Sequence, residues 1–159
     1  MPEVSYSTTI NRPISEVFRA ASDFDAKPQW QPDVISAHQT EDRVRTGVMV
    51  TQNRSTRLFG WRLDFNADIV GYQPNKVVEY KGVLGRFPIT GRLEFAPNGG
   101  STVVTETMDI RMGFLYGLFS PFMRSTMQTR TRRALENLKT MLESRSTGTA
   151  APTDFHQTL

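Results

Sequence analysis

The sequence predicts an α+β fold, in which an antiparallel sheet with one apolar face is covered by a long C-terminal helix. Two observations carry this. From Val34 to Arg111 apolar and polar residues mostly alternate with period two, the pattern of strands that turn one face to a core. From Phe119 the inward series steps through Met123, Met127, Thr131, Leu135, Leu138 and Leu142, the spacing of one helix face.

The first element is a strand, Val4 to Ile10, with Val4, Tyr6, Thr8 and Ile10 on one face. Asn11-Arg12-Pro13 stops it and starts a helix, with Asn as cap, Pro in the first turn and Glu16 near the positive end. Ile14, Val17, Phe18 and Ala21 then follow helical spacing. Asp25 to Pro32, with Pro28 and Trp30, reads as a short second helix or a turn that tucks Trp30 inward.

Six strands follow. Val34 to Thr40 and Gly47 to Asn53 come first. In the next, Trp61, Leu63, Phe65, Ala67 and Ile69 alternate with Arg62, Asp64, Asn66, Asp68 and Val70. After the Tyr72-Gln73-Pro74-Asn75 turn come Val77 to Leu84 and Phe87 to Ala96; the latter has Ile89, Gly91, Leu93 and Phe95 on its apolar face. Asn98-Gly99-Gly100 is a hairpin signal, since these residues tolerate positive φ. Thr102 to Arg111 is the last strand. The terminal helix then runs for about 24 residues, or about 36 Å, with Pro121 in its first turn. Its wet face carries Arg124, Arg130, Arg132, Arg133, Glu136 and Lys139. The Ser, Thr, Gly and Pro after Arg145 cannot repay the entropy of ordering. The expected organisation is one domain over 1–145 and a mobile tail over 146–159.

Composition narrows the function. The chain has 159 residues, a net charge of +3, two His and no Cys. That excludes disulfides, thiolate metal sites and a cysteine nucleophile. Two His are too few for a His-rich zinc site, and neither a metal nor a cofactor is expected. No apolar run approaches the roughly 20 residues that span a bilayer, so stable membrane insertion is not expected. Met1-Pro2-Glu3-Val4-Ser5 lacks the basic-then-apolar pattern of a secretory signal. A cytoplasmic monomer or homodimer is the expectation. Thr129-Arg130-Thr131-Arg132-Arg133 is basic, but without interleaved aromatics it reads as a solvated helix face, and no nucleic-acid partner is expected.

The terminal helix is mixed on its inner face. Leu135, Leu138 and Leu142 suit a fixed core. Phe119, Met123, Met127 and Thr131 suit adaptable contents. The second half would seal the core while the first half roofs a cavity; a plain Met-containing core is the competing reading.

Three segments, in this element order, resemble the SRPBCC superfamily. They are Ile10-Asn11-Arg12-Pro13-Ile14-Ser15-Glu16-Val17-Phe18, Trp30-Gln31-Pro32-Asp33-Val34 and the Phe95-Ala96-Pro97-Asn98-Gly99-Gly100-Ser101-Thr102 hairpin. That group holds the START lipid-transfer domains, the polyketide cyclases and aromatases, and the birch-pollen-allergen proteins. The resemblance covers about residues 4–143. It implies a helix-grip fold, with a seven-stranded curved antiparallel sheet wrapped around the C-terminal helix and a deep apolar cavity between them. It does not settle chemistry, because function lives in the site.

If the cavity exists, the alternation selects its lining. Trp61, Leu63 and Phe65 come from one strand, Ile89, Leu93 and Phe95 from another, and Phe119, Met123 and Met127 from the helix, with Trp30 closing one end. Each of these singly is equally a core residue. The strand-borne polar candidates are Tyr6, Tyr80, His38, Asp64, Glu106, Asp109 and Arg111. Tyr80, Glu106 and Arg111 are the candidates for polarising a carbonyl or moving a proton. Glu106 shares parity with Val104, Met108 and Ile110, so it faces inward and needs a partner or a raised pKa. His38 reads as surface or satisfied core. No Ser-His-Asp order and no phosphate-cradling glycine loop is present.

Three functions stay open. The first is binding, or transport, of a hydrophobic small molecule such as a lipid, polyketide or aromatic metabolite. The second is a cyclase- or aromatase-like enzyme acting on such a ligand. The third is a protein-interaction module using Leu84 and Phe87 or the tail with Phe155.

Overall fold

The computed structural model describes residues 3–31, 34–40, 43–51, 60–111, 113 and 115–148. Strand β1 (Glu3–Ile10) leads into helix α1 (Ile14–Ser22) and a 3-10 helix, α2 (Phe24–Gln29). Strands β2 (Val34–Thr40), β3 (Arg43–Thr51), β4 (Gly60–Gln73), β5 (Val77–Leu84), β6 (Phe87–Asn98) and β7 (Ser101–Ile110) follow. The long helix α3 (Leu115–Gly148) comes last. The strands join one antiparallel sheet in the order β1-β7-β6-β5-β4-β3-β2. Consecutive strands from β2 to β7 pair antiparallel, and β1 closes onto β7, Glu3 opposite Asp109 and Ile10 opposite Thr102. An α+β architecture with an antiparallel sheet and a long C-terminal helix fits the helix-grip plan.

Parity decides what each strand buries. On β6, Ile89, Gly91, Leu93 and Phe95 are buried while Pro88, Thr90, Arg92 and Ala96 are exposed. On β7, Thr102, Val104, Glu106 and Ile110 are buried. Against this face lie Ala134, Leu135, Leu138 and Leu142 of α3, joined with Val17, Phe18 and Ala21 of α1 in one hydrophobic core. Phe18 meets Phe95 edge-on at 5.0 Å. Helix α1 thus packs against β6 and β7, and α3 lies along β1 with the apolar face of its far half in the core.

Several boundaries differ from the expectation. Pro13, not Asn11, occupies the cap position of α1. The Asn11 side chain instead accepts a hydrogen bond from Ser101 Oγ at 3.0 Å. Helix α3 has 34 residues, about 51 Å at 1.5 Å per residue. It begins four residues ahead of Phe119, so Pro121 lies past its first turn. At the other end it continues to Gly148, three residues into the stretch read as tail. Once a helix is nucleated, Ser and Thr extend it at a cost of a few tenths of a kcal/mol, and Gly is a natural terminus. Residues 149–159, including Phe155, lie outside the described residues.

Strand β1 is an edge strand, and α3 supplies polar groups along it. Gln128 Nε2 donates to the Ser5 carbonyl at 2.8 Å and Lys139 Nζ to the Thr9 carbonyl at 2.9 Å. Tyr6 and Thr8 hydroxyls both donate to Glu136 Oε1, at 2.8 and 3.0 Å. An edge covered in this way offers fewer free backbone groups to another chain.

Candidate functional site between sheet and terminal helix

The 3-10 turn α2 is where the site begins. It carries Pro28 inside it and buries Phe24 and Lys27. The Lys27 carbonyl accepts hydrogen bonds from the backbone N–H groups of Trp30 and Gln31, at 3.1 and 2.7 Å. That closure turns the Lys27 side chain inward. Its ammonium lies 4.7 Å from the Phe24 ring centroid, 5.5 Å from Trp30 and 5.8 Å from Tyr80. A cation faced by three rings is held by their quadrupoles where water has been removed.

Tyr80 comes from β5 and packs edge-on against Phe65 at 5.7 Å and Phe24 at 6.2 Å. Opposite it on β6 stands Gly91. A Cβ at Gly91 would fall inside the Tyr80 ring, so the missing side chain lets the ring lie across β6. The hydroxyl then reaches β7, where it donates to Glu106 Oε1 at 3.4 Å. This is a long contact for two oxygens. The other oxygen, Glu106 Oε2, is buried with no hydrogen-bond partner among the described residues, and so is Thr131 Oγ1 on α3.

These groups shift one another. Burial pushes the Glu106 carboxyl up, while the Lys27 charge and the Tyr80 hydroxyl pull it down. Burial lowers Lys27, and the Glu106 charge opposes that. Tyr80 is driven well above its ordinary value by burial and then by Glu106, so it stays a hydroxyl donor. Desolvation is the leading cause in all three, as it is when polar groups are carried into a low-dielectric interior.

A cavity of about 80 Å³ opens at this place, between the sheet and α3. Phe65, Leu84, Ile89, Met108, Met127 and Ala134 form its apolar wall; Lys27, Gln31, Tyr80, Glu106, Arg130 and Thr131 are its polar lining, and Val34 completes it. It is not the wholly apolar cavity that the resemblance implies. Three charged residues line it, Lys27 from the turn, Glu106 from β7 and Arg130 from α3, a position that the sequence reading had placed on the wet face of the helix.

Of the residues singled out in the sequence, Phe65, Tyr80, Ile89, Glu106 and Met127 meet on this cavity. Trp30, Leu93 and Phe95 belong to the packed core instead. Leu93 and Phe95 lie toward the end of the sheet that α1 covers, with Phe18 on Phe95, and Trp30 is fully covered, at 1% exposure. Arg111 is exposed just past β7, its backbone N–H donating to the Pro88 carbonyl at 2.9 Å. It therefore stands apart from Tyr80 and Glu106. His38 is exposed beside Asp25, at 3.8 Å. Tyr6 is engaged by Glu136 rather than by the cavity. The side chains of Trp61, Leu63, Phe119 and Met123 lie outside the described residues, as does that of Asp64. Among the described residues no group of three or more His, Cys, Asp or Glu could hold a metal ion, and no helix is long and apolar enough to cross a membrane.

Lys27 escaped the sequence reading. It stands in a single short turn without periodicity, and a lone Lys is nearly always solvated. The signal that could have found it is the ring of Phe24 three residues before and of Trp30 three after.

The model of one protein family, described as polyketide cyclase / dehydrase and lipid transport, matches residues 1–143. The chain belongs to this family. This agrees with the SRPBCC resemblance read from the sequence. No curated protein matches. Among solved structures, TTHA0849 from Thermus thermophilus is similar with a TM-score of 0.74 and 20% identity, covering 91% of this chain and 99% of that one. A START superfamily protein from Mycobacterium smegmatis has a TM-score of 0.71 and 16% identity, covering 89% and 97%. The Zhui aromatase/cyclase from Streptomyces sp. R1128 has a TM-score of 0.66 and 12% identity, covering 91% and 94%. At these identities the likeness is one of fold.

Proposed function

We propose that this family member binds a hydrophobic small molecule in the cavity between the sheet and α3. The observation that carries the reading is the cavity itself, with an apolar wall from five strands and the helix and a few placed polar groups. That is the usual make-up of a small-molecule site. Its volume of about 80 Å³ suits the tip of a ligand rather than a whole lipid. The neutral fluorophore N-phenyl-1-naphthylamine tests the reading. It should bind the purified protein with one-site saturation and a blue-shifted emission, and Ala134→Trp, which fills the cavity from α3, should abolish binding in a folded protein. Absence of binding to the unsubstituted protein would remove the proposal.

A second reading is favoured by one specific feature. Glu106, acted on by both Tyr80 and Lys27, forms with them a buried acid–base cluster on the cavity lining. Clusters of this kind recur at catalytic sites. A cyclase- or dehydrase-like step on the bound molecule would use Glu106 to move a proton while Tyr80 and Lys27 steady its charge. Under this reading turnover of a ligand recovered with the protein would be lost in Glu106→Gln while binding persisted.

A further inference from the structure

Two buried oxygens on the cavity wall, Glu106 Oε2 and Thr131 Oγ1, have no partner among the described residues. Their residues are 1% and 2% exposed. Leaving such atoms unpaired is costly, and native interiors rarely do so without a ligand or water in the gap. One is carried by β7 and the other by α3, and both residues line the same cavity.

The chemistry of the pair restricts that group. Thr131 offers a hydroxyl, which both donates and accepts. Glu106 Oε2 accepts when the carboxyl is ionised and can donate when it is protonated. A hydroxyl on the ligand complements Oε2 in both states and Thr131 in either sense. A ketone complements Oε2 only when Glu106 holds its proton there. A carboxylate would set like charge against Glu106, and a hydrocarbon would leave both oxygens unpaired. Lys27, packed over its rings, already faces Glu106 with opposite charge, and Arg130, the other cation of the lining, is itself engaged, so the two unpaired oxygens call for a neutral group.

We infer that the ligand carries an uncharged hydroxyl, alcoholic or phenolic, at the end of its apolar body that enters the cavity, paired there with Glu106 Oε2 and Thr131 Oγ1. This rests on the proposal that the cavity binds a hydrophobic molecule, and it names the group that such a molecule presents.

The test is displacement of N-phenyl-1-naphthylamine by four compounds of one shape: 1-naphthol, 1-tetralone, naphthalene and 1-naphthoate. The full-length protein should bind 1-naphthol about tenfold or more tighter than naphthalene, the worth of one or two hydrogen bonds to buried partners. Thr131→Val, which keeps the shape and removes the hydroxyl, should cut that ratio about fivefold, by weakening naphthol and by sparing naphthalene an unpaired oxygen. Glu106→Gln should narrow it as well. Equal binding of naphthol and naphthalene would overturn the inference and leave the cavity reading intact, the two oxygens then being served by water. Tighter binding of tetralone or naphthoate than of naphthol would overturn it too, by naming the wrong group. Failure of the fluorophore itself to bind would bring down the cavity reading, and this inference with it.

Discussion

At the scale of single residues the site depends on a side chain that is not there. Tyr80 reaches Glu106 because Gly91 leaves the inner surface of β6 bare beneath its ring. Gly91 is in an extended strand, so its value lies in close approach and not in backbone freedom. Gly91→Ala therefore places a methyl group where the ring lies. The ring cannot retreat freely, since Phe65 and Phe24 hold it edge-on from two sides. The expected cost is about 1–3 kcal/mol, as for overpacked interiors. It is read as a lower urea midpoint at unchanged slope. Tyr80→Phe is the companion. It keeps the ring and loses only a long 3.4 Å hydrogen bond, so it should cost much less than Gly91→Ala. Equal costs would mean that the hydroxyl, rather than the ring's seat, is what Gly91 protects.

At the scale of elements the joint between β1 and α3 stands out. Glu136 receives the hydroxyls of Tyr6 and Thr8, four residues before Thr140 and one after Leu135 on the same helix. Leu135 is fully buried, so apolar packing and this polar clasp act on adjacent positions of α3. The two hydroxyls hold the Glu136 carboxyl below its ordinary value, the Tyr6 bond being the largest cause. Its folded pKa is thus lower than its unfolded one. The contribution is fully present above the unfolded value, near 4.3, and is lost as pH falls through the folded value. Glu136→Gln should then flatten the acid limb of stability below about pH 4.5. At neutral pH it should cost no more than about 1 kcal/mol, because solvent screens a partly exposed carboxylate. Urea titrations at pH 7 and pH 3.5 check this. A cost of the same size at both would show that the clasp works through shape and not through charge.

For the whole molecule, strand parity was the legible part. It placed Phe65, Tyr80, Ile89 and Glu106 on the inner face, and antiparallel pairing then fixed which of them meet across β5, β6 and β7. Parity says which face a residue takes but not how far along the sheet the helices reach. Leu93 and Phe95 have the same parity as Ile89, yet α1 covers their end and packs it solid. The helix limits were blurred because Ser, Thr and Gly extend or end a helix at nearly equal cost. Lys27 was hidden because its depth is set by a 3-10 turn closing on distant rings, a tertiary matter with no local period.

The same architecture makes a prediction about cooperativity. The core that joins the sheet, α1, the 3-10 turn and α3 is one cluster, and the cavity lies on the seam between its two layers. The lining of that cavity comes from α2, α3 and five strands, so a ligand there should stabilise the domain as a unit rather than one element. Ligand at a hundred times its Kd adds about 2.7 kcal/mol. For a domain of this size that is a rise in Tm of about 5–10 °C. With saturating 1-naphthol, far-UV circular dichroism and scanning calorimetry should move together by that amount and remain single transitions. If the calorimetric peak split, with only the helical signal shifting, then the sheet and α3 would be separable units, and occupancy of the seam could not be what holds them together.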